Sequence, residues 1–512
     1  MKATKTKLFL FLACIPVFIH FCLLQQTLIN YPHWGDDFLF LELLDYAKSH
    51  SIAETFVALF TPHNQIHIIA WAKSIVLLSS LFSGPLNFKI LTILANAQWL
   101  AILYLLYRYV KHKQYPSGHF VGIAFCLLAP FANLDSYSLL GSLSHTSSLL
   151  FMLGIAYLIE TDEKKPLLVF LFMAYPLVLT EGWVMLVVGS TILLYNKHPY
   201  ARIISSLSVL GLIFFAFHLS QQPSSTKFTL GLLATIPKAF FTFLGNFAWP
   251  ISDSYRNLIN ASSGIFILFI SLLFFWKQRG SRQVTRIPLP YIIWLQILAT
   301  AFMVCLGRGG ENLETLVLSE RFYPYSTMAL ISTYLIVIPY FKDKVLIGFS
   351  IIYFIGSFIL FMPEGQQLNS RLQSDITNAI QQDASLSYPV PTSSFRLIND
   401  ETIFHGEPND LLAIQLPKVS DDKKIEYTDN LGELKLQIED KNQINDQRWL
   451  VIQSKAKADS IFFAPFFLDK AKKPKIIHFN SLQLTDLRRK NLWLFTKYEN
   501  GKTQTNYIGS IN

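Results

Sequence analysis

Residues 66–82 read Ile66-His67-Ile68-Ile69-Ala70-Trp71-Ala72-Lys73-Ser74-Ile75-Val76-Leu77-Leu78-Ser79-Ser80-Leu81-Phe82. Whether this run crosses a membrane decides the orientation of everything after it. A spanning helix needs about 20 consecutive apolar residues. This run is shorter, starts polar and carries Lys73. A helix lying in or dipping into the membrane interface fits it better. Upstream, residues 8–29 form an apolar run of spanning length after Met1-Lys2-Ala3-Thr4-Lys5-Thr6-Lys7. That start resembles a signal peptide, but no small-x-small cleavage pattern follows, so the run reads as a retained first helix with its amino end inside.

Downstream, apolar runs near 87–109, 118–134, 143–160, 166–180, 182–196, 201–219, 260–276, 288–306, 323–341 and 344–362 bring the expectation to about eleven spans. Short cytoplasmic loops carry the excess of lysine and arginine. Segments 1–7, 108–113, 163–165, 197–202, 277–286 and 342–344 hold most of the basic residues of this part and occupy alternate loops, all on one side, provided 66–82 does not cross. The expected protein is polytopic and α-helical, sits in the cell (inner) membrane and has a cytoplasmic N-terminus.

Composition agrees with this division. The 512 residues are 52% hydrophobic and 15% charged, with a mean hydropathy of +0.36. Soluble domains carry about a quarter charged residues. The deficit is confined to 1–362, the transmembrane domain, whose first outer loop is 30–86 with the juxtamembrane helix 66–82. The net charge of +9 is accounted for by the basic loops and calls for no nucleic-acid partner. Cys14, Cys22, Cys126 and Cys305 all lie in apolar runs and read as small core hydrophobes. The tail, 363–512, has no cysteine and must fold without disulfides. It lands outside the cytoplasm. Its stretch 366–385 has helix-compatible spacing, and 434–438, 449–454, 461–467, 475–479 and 492–498 read as strands between turn residues. A β-rich soluble domain is expected, α+β or sandwich-like.

Ionisable residues of a membrane protein that converge on one side point to function, and here they converge on the outer side. Tyr31-Pro32-His33-Trp34-Gly35-Asp36-Asp37-Phe38 follows the first span. Asp36 and Asp37 could act as a general base or bind a divalent cation through hard oxygen ligands; alternatively they cap the helix beginning at Phe38. His63 and His67 are spaced i, i+4 and can share a helical face. That spacing permits metal ligation, but no further ligand pattern supports zinc, and contact with a phosphate, a sugar or a polar interface fits as well. Lys73 offers a point charge to a phosphate or snorkels to the interface. Asp135 reads as an N-cap. Glu181 lies between two short apolar runs, so it must be paired, neutralised or turned to a polar cavity. Arg308 and Arg321 stand at the outer ends of consecutive spans, beside Glu320 and Tyr323. Their guanidinium groups either bind an anion outside in bidentate fashion or pair with Glu311, Glu314 or Glu320.

Together these residues line an outer cavity suited to a substrate with a lipid tail, a phosphate linkage and a polar head. The layout resembles the GT-C superfamily of polyprenyl-phosphate-sugar-dependent glycosyltransferases. The features that carry the likeness are Trp34-Gly35-Asp36-Asp37, His63-Asn64-Gln65-Ile66-His67, Phe82-Ser83-Gly84-Pro85-Leu86-Asn87, Thr180-Glu181-Gly182, and Arg308 with Ser319-Glu320-Arg321-Phe322-Tyr323. Pro62 stands alone where such proteins often carry paired prolines. The resemblance implies a GT-C-like helical bundle, a polyprenyl-phosphate-sugar donor, and a glycan, lipid or protein acceptor outside the cytoplasm. It places the catalytic carboxylate, or one that helps place a metal, on Asp36 or Asp37. His63, His67, Lys73, Glu181, Arg308, Arg321 and Tyr323 then bind substrate. Two other classes stand beside this one: a transporter or flippase for envelope lipid or polysaccharide, and a non-catalytic envelope assembly protein.

Overall fold

The structure is a computed structural model. It describes residues 2–28, 30, 32, 37–61, 68–161, 165–220, 230–248, 255–280, 286–307, 317–380 and 402–403, together with six strands of the tail. The described chain is mostly helical and divides into two compact units: 1–28, 46–83 and 88–365 form one, and 29–45, 84–87 and 366–512 form the other.

Among the described residues of the first unit, seven helical segments are long and apolar enough to cross a membrane: Leu8–Gln25, Phe88–His112, Leu139–Thr161, Arg256–Gln278, Leu289–Leu306, Glu320–Tyr340 and Asp343–Pro363. Five shorter apolar helices accompany them. Four coincide with the remaining apolar runs, and the fifth, Ala70–Ser83, falls in the run 66–82. The seven are not equivalent. Glu320–Tyr340 is 94% buried and Leu139–Thr161 83% buried, against 28% for Leu8–Gln25 and 22% for both Arg256–Gln278 and Asp343–Pro363. The first two are therefore central, and the other three expose apolar side chains such as Phe18, Phe269 and Ile352, as lipid-facing helices do. Cys14 and Cys22 are exposed on the first of these, while Cys126 and Cys305 are buried.

Two close approaches shape the bundle. A Cβ on Gly245 would meet the Asn260 carbonyl at 1.8 Å, and one on Gly264 would meet the Phe241 carbonyl at 2.1 Å. The Leu230–Gly245 and Arg256–Gly280 helices touch backbone to backbone there, the packing that small residues permit between membrane helices. Gly182 lets the chain reverse between Lys165–Val178 and Glu181–Tyr195, since a Cβ there would lie 2.3 Å from the Tyr175 carbonyl.

Polar ties join the loops at one end of the bundle. Lys113 pairs with Glu160, whose Oε2 accepts from the Leu289 amide at 2.6 Å. Asn196 Oδ1 accepts from the Ile287 amide at 3.0 Å. His119, fully buried, sits 3.0 Å from Asp343 and 3.0 Å from the Tyr334 hydroxyl. Lys113 and Asp343 lie in the basic segments 108–113 and 342–344, and Asn196 and Ile287 flank 197–202 and 277–286.

Ala70–Ser83 differs from both expectations for Lys73. The side chain is buried, and its ammonium donates to Ala58 O at 3.1 Å and Thr61 O at 2.8 Å. These carbonyls belong to the C-terminal end of the helix Ile52–Leu59, whose N-terminus is closed by a Ser51/Glu54 capping box. A cation on terminal carbonyls satisfies orphan acceptors and opposes the helix dipole. Lys73 therefore clasps two helices. Leu78, Leu81 and Phe82 of Ala70–Ser83 and Ile52, Phe56 and Val57 of its partner remain exposed.

In the second unit, Asp37 is fully buried one residue ahead of Phe38–Ser49, and the Leu86 amide donates to Ile403 O at 2.8 Å. Asp343–Ile380 runs as one helix through Pro363; a helix persists well past the expected boundary at 362. The tail strands are β1 Glu433–Leu436, β2 Gln447–Ser454, β3 Ile461–Pro465, β4 Lys475–His478, β5 Lys490–Lys497 and β6 Thr503–Ile511. β1 pairs with β4, and the other four form an antiparallel sheet in the order β3-β2-β5-β6. Five overlap the expected strands; β6, with its polar Thr503-Gln504-Thr505-Asn506 start, is an addition.

Candidate functional site

The site grows from a break in a helix. Residues 118–134 read as one apolar span, yet the helix Gly118–Leu127 stops early. Pro130 then opens a 3-10 turn, Pro130–Asn133, and a second follows at Asp135–Tyr137. Irregular backbone among apolar helices must satisfy its own polar groups. Asn133 Nδ2 donates to Leu127 O and Ala129 O, both at 2.9 Å, closing the helix end. Ser357 Oγ accepts from the Phe131 amide at 2.9 Å. The N-cap expected of Asp135 is supplied by Ser138, whose Oγ accepts from Gly141 N at 3.0 Å. Asp135 instead offers its carbonyl to Ser138 N and Oγ.

The chain then makes a π-turn, Ser142–Thr146, before the helix Ser147–Thr161. Single π-turns inside α-helices are frequent at functional sites. This one brings His145 Nδ1 to 3.2 Å from the Tyr325 hydroxyl. Ser148 is close enough to Tyr325 to influence its hydroxyl, and Ser148 Oγ lies 2.9 Å from the Tyr175 hydroxyl. The carboxylates of Glu181 and Asp135 are within electrostatic reach of Tyr325. Glu181 is 5% exposed, and Gln296 Nε2 donates to its carbonyl at 2.9 Å. Trp71 Nε1 donates to Ser147 Oγ at 3.2 Å, so the helix of the opening run is tied to the start of Ser147–Thr161. Side chains from five other helical elements, those of Asp135, His145, Ser148, Tyr175 and Glu181, thus lie within bonding or electrostatic reach of the Tyr325 phenol.

Two residues before Tyr325, Tyr323 carries the cationic part. Arg256 Nη2 donates to the Tyr323 hydroxyl. Phe131 stacks on the Tyr323 ring at 5.5 Å and 16°, and the Arg321 guanidinium lies 5.1 Å over Phe322. Arg256 and Arg321 are half-buried. The first turn of Tyr323–Val337 thus presents guanidinium groups on one side and a buried acid–phenol–imidazole cluster on the other. Such a pair can take a proton from a hydroxyl and hold an anion.

Of the residues singled out in the sequence, Glu181, Arg321 and Tyr323 stand in this region. Lys73 is spoken for by backbone carbonyls, and burial lowers its amine to about 8. Asp37 belongs to the second unit. Asp36, His63, His67 and Arg308 lie outside the described residues. Among the described residues, no three His, Cys, Asp or Glu side chains form a metal-sized group. Tyr325, Tyr175 and Arg256 were not legible as site residues. Tyrosine in an apolar run looks like core, and Arg256 gains meaning only through its contact with Tyr323. The chain matches no protein-family model, no curated protein and no solved structure.

Proposed function

We propose that this protein is a membrane glycosyltransferase that moves a sugar from a polyprenyl-phosphate carrier to a glycan, lipid or protein acceptor outside the cytoplasm. The observation that carries this reading is the first turn of Tyr323–Val337, where Arg256 meets Tyr323 while Glu181, Asp135 and His145 gather at Tyr325. A carrier phosphate needs guanidinium contacts as charge develops on it, and an acceptor hydroxyl needs a carboxylate to take its proton. Arg256, Arg321 and Arg308 take the first role. Glu181 takes the second within the helical unit, and the resemblance assigns it to Asp36 or Asp37. His63 and His67 contact the polar head. The basic loops orient the bundle with its N-terminus cytoplasmic, about eleven spans, and the tail domain, 363–512, outside.

A deletion strain should lose one modification of its surface glycans by mass spectrometry, restored by the wild-type chain and not by Glu181→Gln, Asp37→Asn or Asp36→Asn. Unchanged glycans in the deletion strain, or full restoration by all three variants, would overturn the assignment. The interrupted segment 128–146 favours a second reading, because transporters bind substrate at broken helices. Proteoliposomes separate the two: a transferase releases polyprenyl phosphate from the donor, and a flippase moves the donor intact.

A further inference from the structure

His20 is a titratable side chain in the middle of the first span, fully buried and unused by the site above. Its Nε2 lies 3.0 Å from Asn96 Oδ1. The orientation of that amide is determined by its other bonds: Asn96 Nδ2 donates to Thr92 O at 2.9 Å and to Ser136 O at 2.7 Å. Both amide hydrogens are used, so Oδ1 faces the imidazole and His20 Nε2 must carry the proton. In the neutral ring favoured by full burial, Nδ1 is then a bare acceptor.

Nδ1 has no hydrogen-bond partner among the described residues, and the same holds for Trp99 Nε1 and the Tyr137 hydroxyl. All three atoms are buried, on residues at most 1% exposed. The three rings adjoin: Trp99 and Tyr137 centroids lie 6.4 and 5.4 Å from that of His20. Buried polar atoms are hydrogen-bonded in the great majority of cases, by protein or by ordered water. Three neighbours failing together point to a shared partner. Their chemistry specifies it. Nδ1 needs a donor, the indole N–H needs an acceptor, and the phenol accepts either. A cation would be repelled by the indole N–H, and a carboxylate by the Nδ1 lone pair. Water donates and accepts, and two to four partners suffice to hold it.

The geometry points to a site for a single water, or a hydrogen-bonding ligand of that size, enclosed by His20, Trp99 and Tyr137. Asn96 holds His20 in the Nε2–H form, and the occupant supplies the donor that the bare Nδ1 needs. Through Asn96, that form is read at Ser136, next to Asp135 in the broken segment. His20 is thus a positioning residue. This inference does not depend on the transferase reading.

The test is magic-angle-spinning NMR of the full chain, 15N-labelled at histidine, in lipid vesicles, with the His20 signals assigned by their loss in His20→Gln. Nε2 should be protonated. Nδ1 should be unprotonated but shifted towards a hydrogen-bonded acceptor, with a contact to exchangeable protons that disappears in D2O. Tyr137→Phe and Trp99→Phe should each move the Nδ1 signal while leaving the tautomer unchanged. A protonated Nδ1 in the wild-type protein, or an Nδ1 with no exchangeable-proton contact, would overturn the proposal whether or not the variants fold.

Discussion

Lys73 and Glu181 are both buried charges in an apolar bundle, and the structure uses them in opposite ways. Lys73 gives its hydrogens to Ala58 O and Thr61 O, backbone atoms of a neighbouring helix end. The Glu181 carboxylate stands within electrostatic reach of the Tyr325 and Tyr175 phenols, and Gln296 donates to the Glu181 backbone carbonyl, three residues drawn from three other helices. A charge bound to main-chain carbonyls completes a fold: Ala58 O, which also accepts from the Thr61 amide, and Thr61 O both gain a charged donor at a helix end. A carboxylate gathered among side chains of several helices has been brought there by tertiary structure, and on the proposed reading those neighbours rearrange around a substrate. The difference separates a structural ion from a chemical one more sharply than burial does.

The comparison is broken most directly at Glu181. If the proposed transferase reading holds, Glu181→Gln keeps the shape and removes the proposed base, so transfer from a polyprenyl-phosphate-sugar donor should fall by about 10²–10⁴-fold, with an unaltered melting midpoint. Wild-type turnover in that variant would end the distinction. Lys73→Met should do the reverse, lowering stability by about 1–3 kcal/mol as terminal carbonyls lose a charged donor, with turnover per folded molecule unchanged. The same residue has a pH signature. Its amine titrates at about 8 in the folded chain, below the usual lysine value of 10.5. Between those values the unfolded chain holds a proton that the folded one has released, so wild-type stability should rise with pH across that window. A melting series should show this slope in the wild type and its loss in Lys73→Met. The smallest effect belongs to Ser51→Ala, which opens the capping box of Ile52–Leu59. Its hydrogen bonds hold the Glu54 carboxyl below its usual range, so their contribution is present above that range and fades as pH falls through the depressed value. The variant should show a slightly lower midpoint near neutrality and little difference in acid.

Much of the helical framework was legible because long apolar runs admit few alternatives, and the shortness and lysine of 66–82 were visible without coordinates. The break after Leu127 was not. Residues 128–134 stay apolar, so hydropathy runs on where Pro130 and Asn133 end the helix. The role of Lys73 was hidden for a different reason. Its acceptors lie 12 and 15 residues back, at a helix end set by tertiary packing. For the site, Glu181, Arg321 and Tyr323 stood out as charged or polar residues at span ends. Tyr325 and Tyr175 carry their hydroxyls inside helices, where sequence cannot separate a partnered phenol from a packed ring.

The π-turn at Ser142–Thr146 has a consequence for what changes of length this chain tolerates. A π-turn holds one more residue than the α-helical turn it replaces. Deleting a residue there would regularise the helix and leave the turns on either side close to their present phase, because the π-turn spends its extra residue within about one revolution. Ser147 would stay near Gln98 and Trp71, and Ser148 near Tyr175, while the stretch that brings His145 to Tyr325 would be shortened. A deletion within the regular helix Ser147–Thr161 would instead rotate everything beyond it by about 100°. Single-residue deletions should therefore be borne more readily across 142–146 than in the helix that follows.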